Sequence, residues 1–109
     1  MTSKEIAHMV ADIGLPYAYY QFPEGTEQPT PFVCFYIENN DDVYADDENY
    51  TNIVELTIEL YTDNKSYDLE AQVESVLREH CLSWVKSEAY IPSEKMFEEI
   101  YIMEVIKNG

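Results

Sequence analysis

Basic residues are scarce in this sequence of 109 residues. Six lysines and arginines stand against 22 aspartates and glutamates, which gives a formal net charge of −16. Binding to the nucleic-acid backbone depends on clustered lysine and arginine, so the composition argues against a nucleic-acid binder. It argues equally against attachment to an anionic membrane surface. A cationic partner, a metal ion or a surface that repels nucleic acid stays compatible with this charge.

Cysteine, glycine and long apolar runs are also scarce. The two cysteines, Cys34 and Cys81, form no C-x-x-C pair and have no histidines at metal-finger spacing. Three glycines leave little material for a glycine-rich phosphate loop. No run approaches the roughly 18 apolar residues of a membrane span, and the first residues lack the apolar core of a signal peptide. We therefore expect a soluble intracellular protein with reduced thiols and without a cofactor.

Apolar and aromatic residues are plentiful. The hydrophobic fraction is 46% and the aromatic fraction 14%, which excludes a disordered acidic tail. The length fits one folded unit, so residues 1–109 are predicted to form a single α+β domain.

Residue spacing predicts two helices and five strands. Thr2 and Glu5 have the spacing of a capping box, which predicts a helix over 2–13. A second helix follows a turn at 63–66 and ends near Cys81, because apolar residues repeat at helical spacing. Extended segments are predicted at 17–22, 32–38, 51–62, 83–91 and 96–106.

The pattern predicts one sheet of about four to five mostly antiparallel strands. Two helices pack on one of its faces, in the order α-β-β-β-α-β-β. The residues predicted to be buried between sheet and helix are Leu56, Ile58, Leu69, Val73 and Leu77. The residues predicted on the opposite, solvated face of the second helix are Glu70, Glu74, Arg78 and Glu79. The last strand is apolar at both parities, which indicates that a partner chain or a second layer covers its other face.

An acidic segment separates the two strands predicted at 32–38 and 51–62, and is predicted to form a long hairpin tip. The candidate interface residues in it are Glu38, Asp41, Asp42, Tyr44, Asp46, Asp47, Glu48 and Tyr50. Its carboxylates lack the spacing and the turn glycine of a calcium loop. A solvated loop without a role is one interpretation. The two tyrosines favour an interface, because tyrosine is enriched at protein–protein contacts.

Catalytic chemistry has no specific support in the sequence. Paired carboxylates could act as acid and base, but 22 acidic residues produce such pairs by chance. His8 and His80 have no signature that joins them to a cysteine nucleophile, and His80 suits the end of the second helix. The prediction is therefore a protein that is not an enzyme, with a small metal-dependent hydrolase as a much weaker alternative.

Several segments together resemble a known protein class. They are the strand FVCFYI at 32–37, the acidic DDVYADDENY segment, the run VELTIELYTDNKSYDLEAQVESVL and the closing SEKMFEEIYIMEV. The sequence over residues 15–106 is similar to small tail-terminator-like, or minor structural, proteins from the head–tail joining region of long-tailed phages and prophages.

The resemblance implies a structural subunit without enzymatic activity and without a metal or cofactor. It implies a ring of identical copies, commonly six, at the head end of the tail tube, although an isolated chain could stay monomeric. Its neighbours would be tail-tube and connector proteins, first in the host cytoplasm and then in the virion tail. DNA would pass through the ring unbound, and a lumen rich in carboxylates suits that passage. The alternative is an acidic DNA mimic that inhibits a DNA-binding protein.

Overall fold

The computed structural model describes residues 1–25, 27–39 and 52–107. Its elements are α1 (Ser3–Ala11), β1 (Tyr17–Tyr19), β2 (Phe32–Asn39), β3 (Asn52–Thr62), α2 (Tyr67–Glu79), β4 (Val85–Ile91) and β5 (Met96–Lys107). The predicted α+β class and the predicted order α-β-β-β-α-β-β are confirmed. Within these described ranges, neither helix has the length and apolar character needed to cross a membrane.

Side-chain caps fix where both helices begin. The Thr2 hydroxyl accepts a hydrogen bond from the Glu5 amide, and the Glu5 carboxylate accepts one from the Thr2 amide, which completes the predicted capping box. Ser66 caps α2 in the same way through the Leu69 amide. Gly14 lies at a φ of 89°, a left-handed conformation that suits the end of α1.

The strands form one mixed sheet in the spatial order β1-β2-β3-β5-β4. The short strand β1 runs parallel to β2, and the other three pairs are antiparallel. The predicted pairing of the second and third strands is confirmed, with Phe35 opposite Ile58. The predicted tip of this hairpin lies outside the described residues.

Both helices pack on the same face of the sheet, here called the inner face. The alternation of β3 points Val54, Leu56, Ile58 and Leu60 inward, and all four are buried. Ile6, Met9 and Val10 of α1 and Val73 and Leu77 of α2 cover them. Gln72 of α2 also donates a hydrogen bond to the Ile13 carbonyl, which ties α2 to the end of α1.

Two predictions about α2 were wrong. Leu69 is only partly buried, because it lies at the margin of the core. Glu70, which was expected on the solvated face, is 3% exposed. Its carboxylate lies between two lysine ammonium groups supplied by other parts of the chain, and Glu74 beside it is partly buried as well.

Candidate functional site

A cluster of glutamates lies between α2 and the inner face of β4 and β5. Lys65, in the turn before α2, places its Nζ 2.8 Å from Glu70 Oε2 and 2.5 Å from Glu88 Oε1. The same Nζ lies 3.5 Å from Glu99 Oε2. Glu88 and Glu99 come together because they are directly opposite each other on β4 and β5. One ammonium thus contacts three carboxylates from three elements.

A second lysine completes this inner cluster. Lys86 Nζ lies 2.5 Å from Glu70 Oε1 and 2.7 Å from Glu74 Oε2. The Tyr101 hydroxyl donates a hydrogen bond of 2.9 Å to the same Glu74 oxygen. Buried carboxylates are costly unless they are paired, and the two lysines provide that pairing. The inner cluster therefore explains how α2 can bury Glu70 against the sheet.

The cluster shifts the protonation of its members. Burial, a hydrogen bond with Glu88 and the charge of Glu70 together raise the pKa of Glu99 to about 7, although the ammonium of Lys65 opposes the shift. The same hydrogen bond and the ammonium of Lys65 lower the pKa of Glu88. Burial alone would raise the pKa of Glu74, but hydrogen bonds from Lys86 and Tyr101 hold it below its ordinary value. In the folded chain Glu99 therefore holds a proton at pH values where an ordinary glutamate is ionised.

The inner cluster also has the composition of a cation site. Oxygens of Glu70, Glu88 and Glu99 lie within 4.8 Å of one another, and such oxygens suit a hard divalent cation. Glu99 Oε1 is buried without a hydrogen-bond partner. However, Lys65 Nζ already lies 2.5–3.5 Å from all three carboxylates, where an ion would have to bind. The tethered ammonium therefore acts as the internal cation of this cluster.

The opposite face of the sheet, here called the outer face, consists of the outward-pointing side chains of β2, β3, β5 and β4. No other helix or strand among the described residues covers it. Its exposed aliphatic side chains lie in directly opposite pairs, Ile53 with Ile106 and Val85 with Ile102. Ile106 is 56% and Val85 is 72% exposed. This is the apolar face that the sequence of the last strand predicted.

Carboxylates alternate with these aliphatic pairs on the outer face. Glu38, Glu55 and Glu104 are directly opposite one another on β2, β3 and β5, and all three are exposed. Like charges in opposite positions destabilise a sheet. No outward-pointing side chain of the described strands is a lysine or an arginine. This row of glutamates therefore has no counter-ion on its own face.

Two further glutamates of the outer face share one tyrosine. The Tyr61 hydroxyl lies 3.0 Å from Glu59 Oε1 and 2.9 Å from Glu98 Oε2. One phenol proton can serve only one carboxylate at a time. Burial raises the pKa of Glu59, although the hydrogen bond from Tyr61 opposes that shift, and the charge of Glu98 raises it further. The outer face thus carries five glutamates in all.

Only one of the predicted interface residues lies in the described part of the chain. Glu38 is exposed at the end of β2, where the register joins it to Glu55 and Glu104. The other predicted interface residues, Asp41, Asp42, Tyr44, Asp46, Asp47, Glu48 and Tyr50, lie outside the described residues.

Sequence reasoning missed the inner cluster and the outer row. The detectable signal was in β4 and β5, where Lys86, Glu88 and Glu99 occupy the parity that faces the helices. The two cysteines take no part in a cluster. Cys34 is buried on the outer side of β2, and burial raises the pKa of its thiol to about 11. Cys81 is exposed after α2.

Comparison with known proteins adds no family to this description, because no protein-family model and no curated protein matches the sequence. The features that bear on function are therefore the inner and the outer face of the sheet. On the inner face, the buried carboxylates of Glu70 and Glu99 contact lysines of the same chain, and Glu88 and Lys86 stay exposed at the edge of the cluster. The outer face presents aliphatic side chains and glutamates together.

Proposed function

We propose that this chain is a structural subunit of the head–tail joining or tail-terminator type, in which copies close into a ring around an acidic lumen. The observation that carries the proposed role as an assembly subunit is the outer face of the sheet. Exposed aliphatic side chains grouped on one face mark an interaction surface. Ile53, Ile102, Ile106 and Val85 form such a group, between 36% and 72% exposed. In an assembly, another chain can cover this face and remove its aliphatic side chains from water.

The distribution of charge supports passage of DNA without binding. Lys65, Lys86 and Arg78 all pair with glutamates of the chain itself, and these are half of its six basic residues. The remaining surface is therefore strongly acidic, and its three other lysines, Lys4, Lys95 and Lys107, are few for binding a phosphate backbone. A ring of such subunits would repel DNA from its walls. In this proposal the ring joins tail-tube and connector proteins in the virion tail.

A structural role also fits the inner cluster. Its carboxylates resemble an acid–base site, but Glu70 and Glu99 are 3% and 1% exposed, so a substrate could not reach them. Their partners are the lysines Lys65 and Lys86 of the same chain. The cluster therefore contributes to the packing of α2 on the sheet, and we assign the protein no catalytic reaction.

One observation favours a second candidate, the acidic mimic of DNA. The row of Glu38, Glu55 and Glu104 presents three exposed negative charges at regular strand spacing, with no lysine or arginine on the same face of the described strands. A DNA-binding protein could recognise such a row in place of phosphates. This candidate predicts a monomer or a dimer that binds a basic protein, and it does not require a ring.

Sedimentation velocity at two salt concentrations separates the two candidates. Near 0.01 M ionic strength the screening length is about 30 Å, so acidic subunits repel one another over their whole width. Near 0.15 M it falls to about 8 Å, and association into a ring should strengthen. Binding of a mimic to a basic DNA-binding protein should instead weaken. The ring would be contradicted by a chain that stays monomeric at every salt concentration and that binds a basic protein less tightly as salt rises.

A further inference from the structure

The outer face differs from an ordinary apolar interface in its charges. Five of its side chains are glutamates, Glu38, Glu55, Glu59, Glu98 and Glu104, and none is a lysine or an arginine in the described strands. Aliphatic pairs lie on both sides of the row formed by Glu38, Glu55 and Glu104. A partner that covers the aliphatic side chains must also desolvate or neutralise the carboxylates between them.

We propose that the occupant of the outer face is a different protein, whose contact surface combines aliphatic side chains with lysine or arginine. This inference rests on the proposed function, since it names the partner of an assembly subunit. Cations placed over the row would neutralise Glu38, Glu55 and Glu104. A cation near Tyr61 would also relieve the two glutamates that now share one phenol proton. Aliphatic side chains would meanwhile cover Ile102 and Val85.

A second copy of the chain does not meet this requirement. Two outer faces in contact would bring ten glutamates together with no cation between them. Outside the inner cluster, the lysines are Lys4, Lys95 and Lys107. Lys95 and Lys107 stand at opposite ends of β5, about 40 Å apart at the usual rise of a strand. One contact with a second copy therefore cannot gather enough lysines to match five carboxylates.

Nucleic acid and anionic lipid fail for the same reason, because both bring further negative charge to the face. A purely aliphatic protein surface would cover Ile102 and Ile106 but leave the glutamates desolvated and unpaired. A basic surface without aliphatic groups would leave the apolar side chains exposed to water. The outer face therefore favours a protein partner that presents aliphatic side chains and basic side chains together.

The test uses three synthetic peptides of eight residues as probes of the full chain at moderate salt. One repeats lysine–lysine–valine–valine, so that each side of the extended peptide carries both lysine and valine. The other two repeat lysine–lysine–serine–serine and glutamate–glutamate–valine–valine. We expect the lysine–valine peptide to bind at least tenfold more tightly than the lysine–serine peptide, and the glutamate–valine peptide not to bind. Equal binding of the two lysine peptides would overturn the proposal, since charge alone would then suffice.

Variants of the chain locate the binding. Ile102→Ser and Glu55→Gln should each weaken binding of the lysine–valine peptide at least threefold. If Ile102→Ser does not fold, Ile106→Ser replaces it as the aliphatic variant. The matched controls on α2, Tyr67→Ser and Glu79→Gln, remove an exposed ring and an exposed carboxylate away from the outer face and should not change binding. Equal losses in the controls would overturn the location.

The oligomer separates this inference from the proposed function. A ring that survives Ile102→Ser, in a chain that binds the lysine–valine peptide, supports both. A ring that dissociates in Ile102→Ser would show that a second copy covers the outer face, which overturns this inference and leaves the structural subunit intact. If the chain binds the peptide but never forms a ring, the result supports this inference and contradicts the proposed ring.

Discussion

The two faces of one sheet hold their glutamates in opposite ways. On the inner face, Glu70, Glu88 and Glu99 lie around the ammonium of Lys65, and Lys86 pairs with Glu70 from the other side. On the outer face, Glu55 and its neighbours across the sheet have no lysine or arginine beside them in the described strands. The chain thus pairs the carboxylates that it buries, Glu70 and Glu99, with its own lysines. It leaves the exposed ones for another molecule or for water.

The largest expected effect contrasts an aliphatic side chain on each face. Leu56→Asp puts an unpaired charge at a position with no exposure, and we expect a loss of about 5 kcal/mol or more, which unfolds the domain. Ile53→Asp, at a position 40% exposed on the same strand, should cost about 1 kcal/mol or less. Thermal unfolding followed by circular dichroism measures both. Equal melting temperatures for the two variants would break the distinction between the faces.

Removal of a lysine from the inner cluster should have the next largest effect. Lys86→Met leaves Glu70 buried with only one of its two ammonium partners, and we expect a loss of about 3 kcal/mol. The control is Lys4→Met, an exposed position on α1, which should change stability by less than about 0.5 kcal/mol. Urea unfolding measures the free energies. A loss no larger than that of the control would show that Lys86 is not needed to neutralise the cluster.

The proton on Glu99 should make stability depend on pH. Its folded pKa of about 7 lies above the ordinary value of 4.5, so between these values the folded chain holds a proton that the unfolded chain lacks. Stability therefore falls as pH rises through that window, by up to about 3 kcal/mol, since each pKa unit is worth about 1.4 kcal/mol. Glu99→Gln should flatten this dependence between pH 4.5 and 7, and the exposed Glu24→Gln should not. A slope in Glu99→Gln that matches the wild type would contradict the assignment.

The smallest effect concerns the row on the outer face. Glu55→Gln removes the central charge between Glu38 and Glu104, and we expect a gain of about 0.5 kcal/mol because opposed like charges repel. The gain should shrink as salt rises, since the three carboxylates are exposed. Melting temperatures at low and high salt measure it, with Glu24→Gln as the control. A loss of stability at low salt would mean that the row is already neutralised.

The sequence was sufficient for the fold where a pattern repeats along one element. The alternation of β3 identified its inner side, and the spacing of Val73 and Leu77 identified the face of α2. Glu70 could not be placed in this way. It lies at the border of the apolar stripe, where a glutamate is normally solvated, and its burial depends on Lys65 and Lys86 reaching it from other elements. Long-range pairing of this kind leaves no periodic signal.

The candidate site was predictable only in part. The apolar residues at both parities of β5 predicted apolar side chains on both of its faces, and Ile102 and Ile106 lie exposed on the outer one. A partner that covers them stays a prediction. The row of Glu38, Glu55 and Glu104 depends on the register of three strands, which the spacing of residues within one strand does not determine. The acidic segment that the sequence predicted to form an interface lies for the most part outside the described residues.

The most direct test of the proposed assembly is oxidative footprinting of the free chain and of the chain in purified virions, which the proposal predicts to contain it. The central claim is that the inner face is complete in the subunit and the outer face is completed by assembly. Val85 and Ile106 should be labelled in the free chain and protected severalfold in the particle, whereas Leu56 should be protected in both. Equal labelling of Val85 and Ile106 in the free and the assembled chain would contradict the account.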